Sequence, residues 1–468
     1  MDIHANQFLR SAVIALDDIQ LKTALDRGAK RADADRVAAM AETADAAALR
    51  QQGRGARLRA LDDLPTLLEQ MERRLTARGG VVLWAEDAAE ANQHVLDICR
   101  RHHLRRGVKS KSMVTEETGL VPALAAAGIE MLETDLGEFI VQVDESHPSH
   151  IIAPIIHMTR EQVRDLFVEK LGMPPIPDPV DPVYMTRFAR QLLRQRYLDA
   201  DFGMSGGNFL IAETGTVVVV ENEGNGRLST GLPPVHIAMV GIEKIVPTWE
   251  DFATLLQLLT RSATGQRLSV YVNLFNGPAS DGAGDGPDHF YLILVDNGRS
   301  GMYGGEYAEA LACIRCGACL NTCPVYQNVG GHSYGWVYPG PIGSVVTPLL
   351  AGKENAVPLP FASSLCGACK WACPVDINIP RMLLALRRDL QPQQSAAWRA
   401  AMRGYALSFS SPLLFEAGER AAGLLSAATG DAPFTQLPPP LDGWTNSREF
   451  PPFAHPSFHE WWRANRGD

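Results

Sequence analysis

The sequence predicts an α/β domain followed by a smaller, helical domain that is built around a cysteine-rich segment. Helical and strand-like hydrophobic patterns alternate between residues 61 and 295, which is typical of a sheet flanked by helices. Seven of the eight cysteines then lie between residues 313 and 373. We expect a helical lead-in over residues 1–60, the α/β domain over 61–297, the cysteine domain over 298–390 and a helical, Pro-rich docking segment over 391–468.

The individual elements are predicted from hydrophobic periodicity, since a period of 3.6 indicates a helix and β-branched or aromatic runs indicate a strand. Gly53 and Gly55 are expected to interrupt the lead-in, and the Gly- and Pro-rich residues 276–288 to form a surface loop. The predicted helices are 61–77, 88–103, 114–127, 159–171, 184–198 and one that is capped by Thr248. The predicted strands are 81–84, 108–111, 129–132, 139–143, 216–221, 235–240, 268–275 and 290–296.

The cysteines have the spacing of an iron–sulfur protein. The residues from Cys313 to Pro324 read C-x2-C-x2-C-x3-C-P, the pattern of bacterial ferredoxins, and those from Cys366 to Pro374 repeat its last part. Disulfide scaffolds are short and cysteine-dense, and zinc ribbons use paired C-x2-C knuckles, so both fit this pattern badly. The sequence therefore predicts a ferredoxin-type domain with two [4Fe-4S] clusters and a function in electron transfer.

The predicted ligands cross between the two runs, because the fourth cysteine of such a run ligates the other cluster. Ser363 stands three residues before Cys366, where a full motif has cysteine, so the second cluster has only three thiolates. Its remaining iron is bound by serine, bound by an outside ligand, or lost to leave a three-iron cluster. The predicted ligands are Cys313, Cys316, Cys319 and Cys373 for cluster 1, and Cys323, Cys366 and Cys369 for cluster 2.

Composition excludes several classes of function. A net charge of −10 argues against nucleic acid as a partner. No apolar stretch approaches the roughly 18 residues that are needed to cross a bilayer, so we expect a protein that is soluble or peripheral to a membrane. Cluster thiolates need a reducing compartment, which indicates the cytoplasm.

Further blocks of sequence resemble the lactate utilisation protein B family: residues 109–117, 203–220, 222–227 and 331–343. The resemblance spans nearly the whole chain, and serine at position 363 belongs to the family pattern. It implies a lactate-utilisation domain, similar in fold to ribose-phosphate isomerases and CoA transferases, before the two-cluster segment. It also implies an electron-transfer subunit in the oxidation of L-lactate to pyruvate. The implied partners are two further lactate-utilisation proteins, one with cysteine-rich repeats and one a lone α/β domain.

The α/β domain offers four candidate residues for binding a substrate or anion. Lys109 and Ser112 lie where a strand gives way to a helix, a place that favours anions, although a solvated strand end explains them equally well. Glu213 precedes an apolar strand, as the catalytic glutamate of CoA transferases does, but a structural role at a turn is favoured. Arg227 ends a Gly-rich turn and is able to bind a carboxylate through two hydrogen bonds.

Three functions remain open. The chain is an electron conduit whose substrate reacts on a partner, its own α/β domain binds the hydroxy acid or a thioester, or it senses redox state through the incomplete cluster. No G-x-G-x-x-G fingerprint for a flavin or nicotinamide opens the α/β domain, and oxidation of an alcohol carbon normally needs a hydride acceptor. This favours the conduit. The glycine- and aromatic-rich residues 331–343 are interpreted as a cover over the clusters rather than as a substrate or quinone pocket.

Overall fold

The computed structural model describes residues 3–280, 285–393, 396–428, 430, 432–438 and 441–466. The chain forms two compact units, residues 1–388 and residues 389–468. The predicted loop over 276–288 lies partly outside the described residues. Among the described residues, no helix combines the length and the apolar character that crossing a membrane requires.

The first unit begins with four helices that pack against the rest of it: α1 (Phe8–Asp17), α2 (Ile19–Ala41), α3 (Ala46–Asp62) and α4 (Leu64–Thr76). The expected interruption at Gly53 and Gly55 is wrong, because α3 runs straight through both glycines. A Cβ atom at Gly53 would overlap the Leu258 side chain. Glycine at position 53 therefore permits a close approach between helices and does not break α3.

A parallel sheet of six strands forms the centre of the α/β region, in the order β1-β10-β7-β4-β2-β3. Each of its faces is covered by a hydrophobic core, as a parallel sheet requires. Its strands are β1 (Val81–Ala85), β2 (Arg106–Lys109), β3 (Glu130–Glu133), β4 (Phe202–Ser205), β7 (Val235–Gly241) and β10 (His289–Val295).

A second sheet of four strands has the order β8-β5-β6-β9 and is mostly antiparallel. The strands β4, β5 and β8 were not predicted, because each has four residues or fewer and shows little periodicity. The strands of this sheet are β5 (Phe209–Ile211), β6 (Thr216–Glu221), β8 (Ile245–Val246) and β9 (Tyr271–Phe275).

The helices of the α/β region correct two predictions. Residues 139–143, predicted as a strand, belong to a helix whose first turn is capped by Asp135, and three successive apolar residues of this helix are buried. The predicted helix 114–127 is divided at Gly119, which has a φ of 66°. The helices are α5 (Ala88–Arg101), α6 (Met113–Thr118), α7 (Leu120–Ala126), α8 (Leu136–Val143), α9 (Arg160–Leu171), α10 (Pro182–Leu198), α11 (Asn225–Gly231) and α12 (Trp249–Thr264).

The cysteine segment completes the first unit with short helices, and no named strand falls within residues 298–388, all of which are described. Its core is continuous with that of the N-terminal helices and the second sheet. The lead-in, the α/β region and the cysteine segment therefore form one compact body. The helices are α13 (Ala318–Asn321), α14 (Tyr326–Val329), α15 (Gly340–Leu350), α16 (Ala368–Ala372) and α17 (Ile379–Asp389), whose last residue falls in the second unit.

The second unit contains the helices α18 (Ala396–Ser410), α19 (Pro412–Ala428), α20 (Asp442–Thr445) and α21 (Phe458–Asn465). A capping box of Ser457 and Glu460 opens α21. Trp444, Trp461 and Trp462 are exposed. Its role as a docking segment stays a prediction.

Candidate functional site

Four cysteines from both runs line one cavity of the first unit. Apart from the cysteines, the walls are mainly apolar and include Ile151, Ile342, Val375, Ile377 and Ile379. We call this cavity the first thiol site; its cysteines are Cys313, Cys316, Cys319 and Cys373. Sequence separation between the third and fourth of these thiols exceeds 50 residues, so only the folded chain brings them together.

Backbone N–H groups point at the sulfur atoms of the first thiol site. The N–H of Arg315 donates to Cys313 Sγ and that of Ile377 to Cys373 Sγ, each over 3.4 Å. Arg315 has a φ of 58°, a left-handed conformation that non-glycine residues rarely adopt. Burial raises the pKa of the Cys373 thiol to about 12, against the effect of the N–H of Ile377. A dry cavity with converging thiols and N–H donors fits an iron–sulfur cluster, whose positive irons would keep the sulfurs ionised.

The other three cysteines of the segment form a second group, the second thiol site: Cys323, Cys366 and Cys369. Burial, together with the nearby sulfurs of Cys323 and Cys366, raises the pKa of Cys369 to about 11. Cys366 is exposed, and Trp371 beside it leaves 78% of its surface to solvent. The second thiol site therefore lies nearer the surface than the first.

The two cysteine runs have the same backbone conformation, and Ser363 in the second run is equivalent to Cys313 in the first. Leu365 has a φ of 56°, close to the 58° of Arg315, and the glycines two residues later also match, with 74° at Gly317 and 83° at Gly367. The N–H of Leu365 donates to Ser363 Oγ over 3.1 Å, just as that of Arg315 donates to Cys313 Sγ. The serine hydroxyl thus takes the same place in the second run that the sulfur of Cys313 takes in the first.

The thiols of the first site stand around a cavity and not at the corners of a compact site for one ion. Among the described residues, no group of three His, Cys, Asp or Glu side chains is placed to hold a single metal ion.

The glycine- and aromatic-rich residues 331–343 are packed into the core. Tyr334, Trp336 and Tyr338 are buried, and a Cβ atom at Gly331 would overlap the carbonyl group of Ser149. This packing fits the interpretation of the segment as a cover over the clusters, which stays a prediction. Tyr338 also reaches a cleft of the α/β region, which is described below.

A buried ionic network joins the cysteine segment to the α/β region. Arg299 donates to both carboxylate oxygens of Glu117, over 2.8 and 2.9 Å, and to Glu243 over 2.6 Å. The hydroxyl of Tyr338 donates to Glu117 over 2.6 Å. Burial alone would raise the pKa of Glu243, but the charges of Arg299 and other nearby cations hold it at about 2. Both carboxylates are therefore ionised in the folded protein.

Arg57, another buried cation, makes a second connection. Its guanidinium donates to the carbonyl oxygens of Ala312 and Leu311, just before the first cysteine, and to those of Ile245 and Glu243 in the α/β region. Arg57 belongs to α3, within the predicted lead-in. The lead-in thus helps to fix the first thiol site against the sheets.

A cleft with a volume of about 270 Å³ opens where the parallel strands end. Residues 110–112 follow β2, residues 206–208 follow β4, and Glu243 and Lys244 come after β7. The chain places β3 on one side of β2 and then returns to place β4 on the other side, so β2 and β4 flank a topological switch point. Ligands of open α/β sheets bind at such a point, outside the carboxyl ends of the strands. Arg315 and Tyr338 of the cysteine segment complete the wall.

Of the four predicted substrate residues, only Ser112 lines this cleft. Its hydroxyl caps α6 by accepting from the N–H of Thr115 over 3.4 Å. Glu213 accepts from the N–H of Trp249, at the start of α12, so it has the structural role that was favoured. Arg227 is exposed on α11 and is absent from the wall of the cleft, all of which is formed by described residues.

Lys109 does not serve as an anion site in this structure. Its ammonium is fully buried, 2.7 Å from Glu133 and 3.5 Å from Glu116. Burial acts to lower the pKa of Lys109, but these carboxylates outweigh it and raise the pKa. The ammonium is therefore charged and already paired with acids.

The sequence did not predict a role for Lys244, Glu243 or Arg299. One signal was available, since Glu243 and Lys244 interrupt an otherwise apolar stretch between Val235 and Val246. Adjacent charges inside a buried stretch indicate a buried pair or a site.

Comparison with known proteins agrees with this architecture. Residues 68–295 match the LUD domain, residues 309–377 the 4Fe-4S dicluster domain, and residues 388–466 the family described as Lactate utilisation protein B, C-terminal. Lactate utilization protein B of Shouchella clausii (strain KSM-K16) is 46% identical over 88% of this chain and 86% of its own length. That of Geobacillus kaustophilus (strain HTA426) is 42% identical over 98% of this chain and 95% of its own length.

The chain belongs to the lactate utilization protein B family. The resemblance seen in the sequence and the predicted fold class, an α/β lactate-utilisation domain before a ferredoxin-type segment, are both confirmed. Family membership and the dicluster match support a role in lactate utilisation with iron–sulfur electron transfer. The family name implies a lactate utilisation system that includes other subunits.

Proposed function

We propose that the chain is a cytoplasmic electron-transfer subunit in the oxidation of L-lactate to pyruvate and that it passes electrons through two cubane clusters. The observation that carries the proposal is the first thiol site, where four thiols from both cysteine runs, three of them buried, share one apolar cavity with N–H donors. Apolar surroundings and hydrogen bonds to sulfur are the means by which a protein sets the potential of a cluster.

The proposed ligands of cluster 1 are the four cysteines of the first thiol site. Cluster 2 takes Cys323, Cys366 and Cys369, with the hydroxyl of Ser363 at its fourth position. Support for Ser363 comes from the repeated backbone conformation, in which its Oγ accepts the same N–H bond as Cys313 Sγ. An oxygen holds iron less well than a thiolate in such a cluster, so this corner is its weak point.

Iron content tests this assignment. Anaerobically prepared protein should hold about eight irons with matching acid-labile sulfide, falling toward about seven after mild oxidation as cluster 2 loses the iron at Ser363. Ser363→Cys is expected to keep about eight irons through the same oxidation, because a fourth thiolate replaces the weak ligand. The measurement is iron and sulfide analysis together with the EPR signal of a three-iron cluster.

Two outcomes would contradict it. Bound zinc without acid-labile sulfide would exclude the clusters. If Ser363→Cys loses one iron as readily as the wild type does, Ser363 is not the fourth ligand of cluster 2. Ser364→Cys, which introduces a thiol one residue further along the chain, is the matched control.

The proposed partners are the two other lactate-utilisation proteins, one with cysteine-rich repeats and one a lone α/β domain. The α/β domain does not open with the G-x-G-x-x-G fingerprint of a flavin or nicotinamide site. We therefore assign the hydride acceptor to a partner. The exposed Cys366 and Trp371 at the second thiol site give an electron carrier access to cluster 2. A binding site for the acid on this chain is a second candidate function, and the cleft favours it.

A further inference from the structure

The cleft holds two cations whose side chains form no hydrogen bond with any described residue, Lys244 and Arg315. Lys244 is only 8% exposed, and none of the described residues forms a hydrogen bond or ion pair with its ammonium. Arg315 lies over the ring of Tyr338, 4.4 Å from its centre, and its Nη1 is buried without a hydrogen-bond partner among the described residues. Its nearest carboxylate oxygen, on Glu243, is 3.8 Å away. Buried donors without partners are costly unless a ligand or water satisfies them.

The third cation of the cleft differs from these two. The ammonium of Lys111 lies 3.6 Å from a carboxylate oxygen of Glu138 and donates to the carbonyl oxygen of Ile152 over 3.2 Å. Lys111 therefore already has partners within the protein. Lys244 and Arg315 remain as donors for a ligand.

The cleft also contains four carboxylates, and each is already occupied by protein donors. Three of them cap backbone N–H groups, and the fourth is paired with a buried arginine. Asp135 accepts from Gly137 and Glu138, Glu221 from Gly226 and Arg227, Glu223 from Leu136, and Glu243 from Arg299. One oxygen of Glu243 also lies 3.8 Å from Arg315, but none of these carboxylates accepts a hydrogen bond from Lys244 or Arg315.

We infer that the cleft binds a small organic carboxylate of the 2-hydroxy or 2-oxo acid class, with Lys244 and Arg315 holding the carboxylate group. A guanidinium fork and an ammonium together match a carboxylate. The volume of about 270 Å³ suits a small molecule rather than a dinucleotide. The position, at the switch point of the parallel sheet, is where such folds take their ligands.

Arg315 also connects the cleft to cluster 1. It stands between Cys313 and Cys316 in the sequence, and Arg315 itself lines both the cleft and the first thiol site. A carboxylate bound to the guanidinium of Arg315 would be separated from the sulfurs of the first thiol site by this one residue. The bound acid and cluster 1 are thus expected to sense each other electrostatically.

This inference rests on the proposed function for the choice of acid, but it concerns binding alone. Cluster-loaded full-length protein is titrated anaerobically by calorimetry with L-lactate, with pyruvate and with inorganic phosphate. We expect either organic acid to bind with a Kd of about 1 mM or tighter and to shift the EPR spectrum of reduced cluster 1. Phosphate should bind more weakly than both.

Three variants locate the site. Lys244→Met keeps the length of the side chain and removes its charge, and it should weaken binding about tenfold or more. Arg315→Lys keeps the charge, loses the fork and should also weaken binding. Arg227→Ala removes a charge from the exposed surface outside the cleft and should bind like the wild type. Iron analysis and EPR of each variant show whether both clusters are present.

The inference is overturned if cluster-loaded wild type binds neither acid at about 10 mM, a concentration at which any Kd near 1 mM would be detected. It is also overturned if phosphate binds best, or if Lys244→Met with both clusters binds the acids as tightly as the wild type. Each of these results leaves the iron content untouched. Absence of clusters from the wild type would instead reject the proposed function.

Discussion

Replacing Cys373 with alanine is expected to destroy cluster 1 and to leave cluster 2 in place. Cys373 lies in the second cysteine run, yet its thiol is buried in the cavity that Cys313, Cys316 and Cys319 line. The three remaining thiolates lie in an apolar cavity, and none of the residues that line it is a serine that could replace the lost ligand. We expect about half of the iron to be lost, with the EPR signal of the remaining half unchanged.

The control for this variant is Cys99→Ala. Cys99 is buried within α5 among apolar side chains and lies far from both cysteine runs in the sequence. Its replacement should preserve all the iron and lower stability by about 1 kcal/mol, as expected for a small cavity. If Cys373→Ala removes the cluster of Cys366 and Cys369 and keeps that of the first run, the crossed assignment is wrong.

Arg299→Met is expected to be the most destabilising single change among the ionic residues. It leaves the carboxylates of Glu117 and Glu243 buried without their main partner, and all three side chains are at most 2% exposed. Breaking a buried ion pair from one side costs about 3–5 kcal/mol. Because this network joins the α/β region to the cysteine segment, the loss of stability should also release iron from cluster 1. Chemical denaturation under anaerobic conditions, followed by circular dichroism and iron analysis, measures both effects.

An exposed pair provides the matched comparison. Arg196 and Glu130 make contact over 2.9 Å, but about half of each side chain faces solvent. Surface pairs of this kind contribute about 0–1 kcal/mol, so Arg196→Met should unfold like the wild type. Equal losses of stability in the two variants would show that the buried network has no special role.

The part of the site that could be predicted from the sequence is the part that local spacing determines. The ferredoxin pattern of the cysteines places thiols on short turns, and Ser363 is identified by counting back from Cys366. The backbone repeat of the two runs has the same local origin. Long helices and strands with clear periodicity, such as α5 and β7, were predicted for the same reason.

The remainder depends on distant partners that the sequence does not reveal. Lys109 looked available for an anion because Glu133 and Glu116 meet it only after the sheet has formed. Lys244 and Arg315 are 71 residues apart in the sequence, and the cleft exists only where β7 and the cysteine segment meet. Residues 139–143 were predicted as a strand because a short run of buried apolar residues looks alike in a strand and in a buried helix.

The most direct test of the central claim is to ask whether the pure chain can take electrons from lactate unaided. Anaerobic full-length protein with both clusters is mixed with dithionite, with L-lactate, and with L-lactate in the presence of the two proposed partners, while the visible absorbance of the clusters is followed. We predict bleaching by dithionite and by lactate with the partners, and none by lactate alone, because we assign the hydride acceptor to a partner. Bleaching by lactate alone that Lys244→Met abolishes would contradict the account and make the α/β domain a catalytic site.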